Sequence, residues 1–390
     1  MASIRKRGGA YEYRVRFQTP DGKWQERSKG GFRTKRLAEA AAVEVQSHQL
    51  RGADLSRTDI TLLDYWDDWV ALYKTGKNSL VTEKRYPIIR KALRAEFGQS
   101  KLTDITRSDW QRFLNRYGDT HSHITVEKLN GYVRTMVRSA MNDQLIYTDF
   151  TFGAIITGAD GKKDADKFLE ADQFAAVIDY ARERVDFNHL SMLAIYLGAM
   201  SGARFSELVG LTWDDIDFDA CTISINKTWD YHFGQGFLPT KTPSGVRTVK
   251  LTPPTMDVLK AYKAQQAAYS LRIGFRDDKK LVFRARTHQV LTNAGANKAL
   301  KTAQEAIDAD PELPSISKSI TFHGLRHSHV SYLLSQHVDI YYISKRLGHK
   351  DITITQQVYS HMLDTLQTEQ ENATVSALEK LVGNSWASNA

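Results

Sequence analysis

The segment "TFHGLRHSHVSYLL" (Thr321–Leu334) places three histidines and one arginine within seven residues, directly before an apolar run. His323 and Arg326 are three residues apart and share a face if the segment is helical. His323 and His327 have the four-residue spacing of two histidines that bind one zinc ion, but the glutamate of that motif is replaced by Gly324. The segment by itself therefore leaves a metal site, a helix surface and half of an active site open.

The composition of the chain is that of a soluble protein with two or three domains. No apolar run approaches the roughly 20 residues that span a bilayer, and the basic N-terminus lacks the apolar core of a secretion signal. The single cysteine, Cys221, excludes an intramolecular disulfide and a Cys-rich zinc module. We therefore expect no membrane contact and a reducing, cytoplasmic location.

Positive charge is concentrated near the N-terminus. The whole chain has a net charge of +8, and residues 1–55 contribute 12 Lys and Arg against 6 Asp and Glu, a difference of +6. A basic segment that also contains aromatic and β-branched residues favours a folded module that binds a polyanion. A basic surface that only keeps the protein soluble is the alternative.

Residues 1–55 predict two or three short strands followed by one helix. The segment "YEYRVRFQ" alternates apolar and polar residues, "TPDG" is a turn signal, and an Ala-rich helix with Thr34 as its N-cap comes next. A small sheet of this kind could enter a DNA groove. The basic residues expected on it are Arg14, Arg16, Lys23, Arg27 and Lys29.

Residues 60–156 show apolar residues at three- and four-residue spacing throughout, which predicts an all-helical bundle. Basic residues recur along it and indicate one basic side, although a charged helix face is more often simply solvated. These residues are Lys84, Arg85, Arg90, Lys91, Arg94, Arg134 and Arg138. The segment 157–167 is rich in Gly, Asp and Lys and poor in apolar residues, so it is predicted to be a linker.

From residue 168 onward, helices surround a strand-like block in which the turn "TPSG" joins two extended arms. Arg204 follows a small-residue turn and begins a helix, with Glu207 three residues later on the same face. Lys241 lies just before the predicted hairpin turn. His349 follows a glycine, and Tyr359 comes ten residues later. Each of these features is usually structural when it occurs alone.

Together the residues have one coherent chemistry. Two arginines, a lysine and two histidines can stabilise a pentacoordinate phosphorane without a metal, because arginine binds paired phosphate oxygens and histidine and lysine hold or transfer protons. A tyrosine can attack phosphorus and hold the product as a covalent phosphodiester.

The order and spacing of "ARFSE", "TKTPSGVR", "HGLRHSH" and "LGHKDITITQQVY" resemble the motifs of the tyrosine recombinases, specifically the phage-type integrases, and the resemblance covers the whole chain. It implies an α+β multidomain protein. Residues 1–55 would be an arm-type DNA-binding domain with a small three-stranded sheet and a helix. Residues 60–156 would be an all-α core-binding domain. Residues 168–390 would be a mainly helical catalytic domain with a small antiparallel sheet and a C-terminal tail.

The resemblance also implies roles for the site residues. Tyr359 would be the nucleophile, and Arg204 and Arg326 would clamp the scissile phosphate. His323 and His349 would position and stabilise that phosphate, and no cofactor or metal would be needed. Lys241 would be the general acid that protonates the departing 5′-oxygen, and Glu207 would orient its neighbours. His327, His329 and His361 are interpreted as helix-surface or packing residues, and Cys221 as a small core residue on a strand.

The implied function is a site-specific DNA recombinase that integrates and excises a mobile element, such as a prophage, through a 3′-phosphotyrosine intermediate and a Holliday junction. Its expected partners are core and arm DNA sites, three further copies of the chain, an excisionase and a host DNA-bending protein, in a nucleoid-associated location. The expected DNA-contacting residues are Arg14, Arg16, Lys23, Arg27, Lys84, Arg85, Arg134 and Arg138.

Two alternatives stay open at this point. A non-cleaving DNA-binding regulator would leave the ordered set of site residues unexplained. A metal-dependent nuclease would use His323, His327 and His329, but the chain offers it no convincing set of carboxylate ligands.

Overall fold

The structure is a computed structural model that describes residues 2–19, 22–50, 59–161, 167–234, 236–353, 355–356, 371 and 374–380. The chain forms two compact units, Met1–Gly161 and Lys162–Ala390. The boundary between them falls inside the segment predicted to be a linker. The further division of the first unit into an arm-binding and a core-binding domain stays a prediction.

The first unit begins with an antiparallel sheet in the order β1-β2-β3, followed by helix α1. Their bounds are β1 Ala2–Arg7, β2 Ala10–Gln18, β3 Trp24–Phe32 and α1 Lys35–Leu50. Strand β2 alternates strictly, because Tyr13, Val15 and Phe17 are buried while the residues between them are not. The hydroxyl oxygen of Thr34 accepts a hydrogen bond from the Leu37 N–H at 3.3 Å, which confirms the predicted N-cap.

The rest of the first unit is helical, as predicted. Its helices are α2 Leu62–Tyr73, α3 Leu80–Glu83, α4 Arg85–Phe97, α5 Arg107–Gly118 and α6 His123–Asn142. Large aromatic side chains dominate the shared core, with Trp66 and Trp110 almost fully buried. The indole N–H of Trp110 donates to the side-chain oxygen of buried Asn130 at 2.9 Å, so the polar atom of that ring is satisfied inside the core.

The second unit is mainly helical. Its helices are α7 Ala171–Glu183, α8 Leu190–Ser201, α9 Phe205–Val209, α10 Pro253–Ile273, α11 Asn293–Asp308, α12 Phe322–Ser335 and α13 Ile340–Leu347. Helix α8 is apolar on nearly every side and lies at the centre of the core, against α7, α11 and α12. The C-terminal end of α8 therefore lies close to the first turns of α9 and α12.

Five short strands complete the second unit. They are β4 Ile216–Asp217, β5 Thr222–Ile225, β6 Lys227–Asp230, β7 Gly236–Pro239 and β8 Arg247–Lys250. Strands β4, β5 and β8 form one antiparallel sheet, and β6 and β7 form another. The α+β multidomain class predicted from the sequence is confirmed.

Two local predictions for this region are wrong. The "TPSG" segment is not a hairpin turn, because β7 pairs with β6 while β8 pairs with β5; Pro243–Gly245 forms one turn of 3-10 helix between the two sheets. The sequence correctly indicated a turn at this position. It did not indicate which strands pair, because strand pairing depends on packing between distant parts of the chain. Cys221 does not lie on a strand. It is half-buried at a left-handed turn position with φ of 54°, directly before β5.

Among the described residues, no helix is long and apolar enough to cross a membrane.

Candidate active site

Arg204 is held at the start of α9 by a buried carboxylate. Its side chain is 32% exposed and donates from Nη1 to Oε1 of Glu207 at 2.8 Å. The backbone N–H of Arg204 donates to Oε2 of the same carboxylate at 2.9 Å. Glu207 thus fixes both the main chain and the guanidinium of Arg204, whose side chain stays partly exposed.

Arg326 is buried and is fixed through two backbone carbonyls. Its Nη1 donates to the carbonyl oxygen of Gly202, and its Nη2 donates to that of Leu347, both at 2.7 Å. Gly202 ends α8 with a φ of 65°, and a Cβ at this position would lie 2.8 Å from the ring of His329 and 2.9 Å from Leu347. A glycine is therefore required where the end of α8 meets Arg326.

His323 and His349 lie in the field of these arginines. Burial lowers the pKa of His323, and the charges of Arg326 and Arg204 lower it further. Burial, followed by the charges of Arg326 and Arg204, lowers the pKa of His349 to about 4. Both imidazoles are consequently neutral at pH 7 in the free protein. The structure therefore brings together Arg204, His323, Arg326 and His349 from three separate segments of the chain.

His349 lies next to a buried hydroxyl group. Its Nδ1 lies 2.7 Å from the hydroxyl oxygen of Thr355. When that hydroxyl donates to Nδ1, the hydrogen of the imidazole is on Nε2 and is available to an oxygen acceptor. His349 can then donate a hydrogen bond to a phosphate oxygen without carrying a charge.

Arg247 is a member of this cluster that the sequence analysis did not single out. Its side chain is 7% exposed, and its Nη2 donates to Oε2 of Glu207 at 2.9 Å. The segment "RTVKL", which is β8 and the residue after it, alternates Arg247, Val249 and Leu251 with exposed residues, and both apolar residues are buried. This alternation is the sequence pattern that could have assigned Arg247 to the interior.

Glu207 stays ionised between the two guanidinium groups. Burial acts to raise its pKa, but the hydrogen bond and charge of Arg247 and the charge of Arg204 outweigh burial and hold that pKa below its usual range. A single buried carboxylate is therefore shared by Arg204 and Arg247.

The other two histidines of α12, His327 and His329, contact neighbouring groups of the protein. His329 is buried, its Nδ1 is 2.8 Å from the carbonyl oxygen of Ala199, and its Nε2 accepts from Nε of Arg346 at 3.2 Å. Burial and the charge of Arg346 lower its pKa to about 3, so it is a neutral packing residue. His327 is half-buried with its ring edge-to-face on His323, at a centroid distance of 4.9 Å. In the described part of the chain, no three His, Cys, Asp or Glu side chains form a group that could hold a metal ion.

Lys241 lies in the exposed loop between β7 and β8. Tyr359 and His361 lie outside the described residues, and so does most of the tail that follows them. The nucleophile and general-acid roles therefore stay predictions from the sequence.

The expected DNA-contacting residues of the sheet divide between its two faces. Arg14 and Arg16 are on the face opposite the buried residues of β2, and Arg14 is paired with Glu12 at 3.0 Å and with Glu26 at 3.2 Å. Arg27 is paired in register with buried Val15 and so belongs to the face that α1 covers. Lys23 is exposed in the turn before β3.

The expected contacts of the helical bundle also differ among themselves. Lys84, Arg85 and Arg138 are exposed. Arg134 is half-buried and donates to the carbonyl oxygen of Thr151 at 3.1 Å, which ties α6 to the loop after it. Its position is thus explained by a structural contact.

The geometry defines a cationic, partly buried site that suits a phosphate group, and comparison with known proteins identifies the class. The sequence model described as the phage integrase family matches residues 167–365, more than half of the chain, and the model described as the arm DNA-binding domain matches residues 3–49. The chain belongs to the phage integrase family of tyrosine recombinases, which are site-specific recombination enzymes.

Relatives cover most of the chain. The integrase of Staphylococcus phage L54a is 24% identical over 336 residues, which are 81% of this chain and 92% of that protein. An integrase of Streptomyces ambofaciens is 26% identical over 342 residues, which are 85% of this chain and 84% of that protein.

Solved structures share the fold. The Tn1549 transposon integrase in complex with transposon right end DNA matches with a TM-score of 0.66 and 18% identity over 80% of this chain and 99% of that chain. A lambda integrase tetramer bound to a Holliday junction matches with a TM-score of 0.53 and 19% identity over 90% of this chain and 96% of that chain.

Proposed function

We propose that this enzyme cuts and rejoins duplex DNA through a covalent bond between Tyr359 and a 3′-phosphate. The observation that carries the proposal is the convergence of Arg204, His323, Arg326 and His349, two permanent cations and two neutral imidazoles, at one site. This combination of four residues, which we call the phosphate clamp, binds a phosphodiester anion and supplies hydrogen-bond donors to the charge that develops on its oxygens.

The two arginines have different degrees of freedom in this proposal. Arg326 is buried and held by two carbonyls, so it presents its charge at a fixed position with little loss of entropy on binding. Arg204 is anchored at Nη1 by Glu207 and its side chain stays partly exposed, so we propose that it binds a phosphate oxygen. His349 donates from Nε2 to a second oxygen, and His323 faces the same phosphate.

Cleavage exchanges the P–O5′ bond of the DNA for a bond between phosphorus and the oxygen of Tyr359. The phenol oxygen of Tyr359 attacks phosphorus, the P–O5′ bond breaks, and a 3′-phosphotyrosine bond forms. Lys241 gives a proton to the departing 5′-oxygen, which leaves as a free hydroxyl. The phenol proton is lost to a neutral imidazole of the site, for which His323 is chemically competent. The phosphodiester energy is retained, so a 5′-hydroxyl from a partner strand can reverse the reaction without ATP.

Strand exchange requires several copies of the chain on DNA, and we propose a homotetramer that passes through a Holliday junction. The lambda integrase, which shares this fold, forms a tetramer on such a junction. The open face of the N-terminal sheet, with Arg14 and Arg16, is proposed to bind arm-type sites. Lys84, Arg85 and Arg138 are proposed to contact core-site phosphates.

The element moved is proposed to be a prophage or a related mobile element, since relatives include the integrase of a phage. An excisionase and a host DNA-bending protein are proposed as accessory partners, and the reaction is proposed to occur on the host nucleoid in the cytoplasm.

The test is covalent trapping on a nicked suicide substrate. The wild-type chain is expected to form a protein–DNA adduct in the presence of EDTA, and Tyr359→Phe is expected to bind the DNA without forming it. Tyr341→Phe is the matched control, because Tyr341 is an exposed tyrosine on α13, 56% accessible. An adduct that persists in Tyr359→Phe would move the nucleophile elsewhere. Cleavage that requires a divalent metal would favour the nuclease alternative.

A further inference from the structure

Arg247 donates to three separate parts of the active-site region at once. Its Nη2 binds Glu207 at 2.9 Å, its Nε binds the carbonyl oxygen of Arg346 at 2.7 Å, and its Nη1 binds the carbonyl oxygen of Gly245 at 2.8 Å. Glu207 holds Arg204, Arg346 precedes the turn to His349, and Gly245 belongs to the loop that carries Lys241. One buried guanidinium therefore connects the three.

The loop around Lys241 is internally tied. The hydroxyl of Thr240 donates to the carbonyl oxygen of Thr242 at 2.9 Å, and the Gly245 N–H donates to the same oxygen, also at 2.9 Å. A Cβ added at Gly245 would lie 2.9 Å from Cβ of Thr240, so the two ends of the loop are in close contact. Lys241 lies between Thr240 and Thr242, and its backbone position follows that of the 3-10 turn.

This loop also rests directly on the turn that leads to His349. Gly348 has a φ of 67°, and a Cβ there would lie 2.8 Å from the carbonyl oxygen of Ser244 and 3.0 Å from Nη1 of Arg247. Any side chain at position 348 would push the two segments apart. Two features therefore allow the Lys241 loop and the turn before His349 to pack closely. Arg247 forms hydrogen bonds to both segments, and Gly348 has no side chain that would separate them.

We infer that Arg247 is a positioning residue that docks the Lys241 loop onto the phosphate clamp, so that the general acid reaches the 5′-oxygen only when this guanidinium bridges Gly245, Arg346 and Glu207. The inference rests on the proposed function of Lys241. Arg247 itself has no assigned contact with DNA, and it acts through the loop. Lysine cannot replace it, because an ammonium on a flexible stem lacks the planar fork that reaches three acceptors.

The experiment compares two leaving groups. Suicide substrates are built on the core sequence mapped from the element's junctions, with either oxygen or sulfur at the bridging 5′ position, and single-turnover adduct formation is measured. A thiolate leaves without protonation, so sulfur restores a step that has lost its acid. Lys241→Ala is the reference, with an expected loss on the order of 10²–10⁴ on oxygen that sulfur removes.

Arg247→Lys is expected to lose about 10- to 100-fold on oxygen and to recover most of that loss on sulfur. Arg284→Lys is the matched control, because Arg284 also binds a carboxylate, Asp277 at 2.7 Å, and a carbonyl, that of His288 at 2.9 Å. Its ratio of sulfur to oxygen rates should equal that of the wild type. Unchanged DNA affinity shows that each variant is folded.

Gly348→Ala is a second variant, which keeps Arg247 but places a methyl group between the two segments, 2.8 Å from the carbonyl oxygen of Ser244 and 3.0 Å from Nη1 of Arg247. It should show the same recovery on sulfur. Equal losses on both substrates in Arg247→Lys and Gly348→Ala, with Lys241→Ala rescued, would overturn the inference alone. Failure of sulfur to rescue Lys241→Ala would refute the general-acid role and the inference with it.

Discussion

Replacing Glu207 by glutamine tests whether one buried carboxylate organises the clamp. The carboxylate is 3% exposed and accepts from Nη1 of Arg204, from the Arg204 backbone and from Nη2 of Arg247. A glutamine side chain has nearly the same volume as glutamate but only one acceptor oxygen. Its NH₂ group would therefore face an N–H donor of Arg204 or Arg247. Removing one partner from a buried ion pair costs about 3–5 kcal/mol. The retained amide oxygen offsets part of this, so we expect a loss of about 3 kcal/mol.

The loss is measured as the shift in the melting temperature of the second unit by calorimetry on the full chain. For a unit of this size, about 3 kcal/mol corresponds to a decrease of roughly 6–12 °C. Glu305→Gln is the control, because that glutamate is exposed on α11 and pairs with Lys301 at 3.5 Å. Its melting temperature should not change measurably.

The effect has a defined pH dependence. The pKa of Glu207 is lowered in the folded protein, so its stabilisation is present above the unfolded pKa and is lost as the pH falls through the folded value. The difference between wild type and Glu207→Gln should therefore shrink below about pH 4. A shift equal to that of Glu305→Gln, or a difference that grows on acidification, would refute the view that Glu207 is an ionised anchor.

Three further outcomes are expected. Because the pKa of His329 is lowered to about 3 in the folded protein, this histidine binds a proton in the unfolded chain at a higher pH than in the folded one. It should therefore contribute a loss of stability of about 2 kcal/mol between pH 7 and pH 5, and a His329→Gln melting curve with the same pH slope as the wild type would contradict this. Asn130→Val should destabilise the first unit by about 1–3 kcal/mol, seen by calorimetry, because the Trp110 N–H loses its buried acceptor. Arg16→Ala should reduce the slope of log binding constant against log salt concentration for arm sites by about 1, the value for one lost phosphate contact. Arg27→Ala, on the face that α1 covers, should leave that slope unchanged.

Local sequence patterns were sufficient to predict most helices and strands. Helix α1 begins at the predicted cap Thr34, and the alternation in β2 separates buried Val15 from Arg14. Such features depend on neighbours within a few residues, so a single sequence contains them. Pairing of the strands around "TPSG" was missed, since β8 chooses β5 by packing across the unit.

By itself, the sequence determined the chemical inventory of this enzyme: two arginines, two histidines, a lysine and a tyrosine in a specific order, with basic residues gathered in the first 55 positions. Residue type and spacing are chemical properties of the chain, and they limit the reaction before any fold is known. Only the tertiary structure decided which of these groups meet, that Glu207 is shared by two guanidinium groups, and that Arg247 links the Lys241 loop to the His349 turn. The physical reason is that a buried hydrogen bond joins residues far apart in the chain, Arg247 and Arg346 among them, and its partners are chosen by the packing of whole elements.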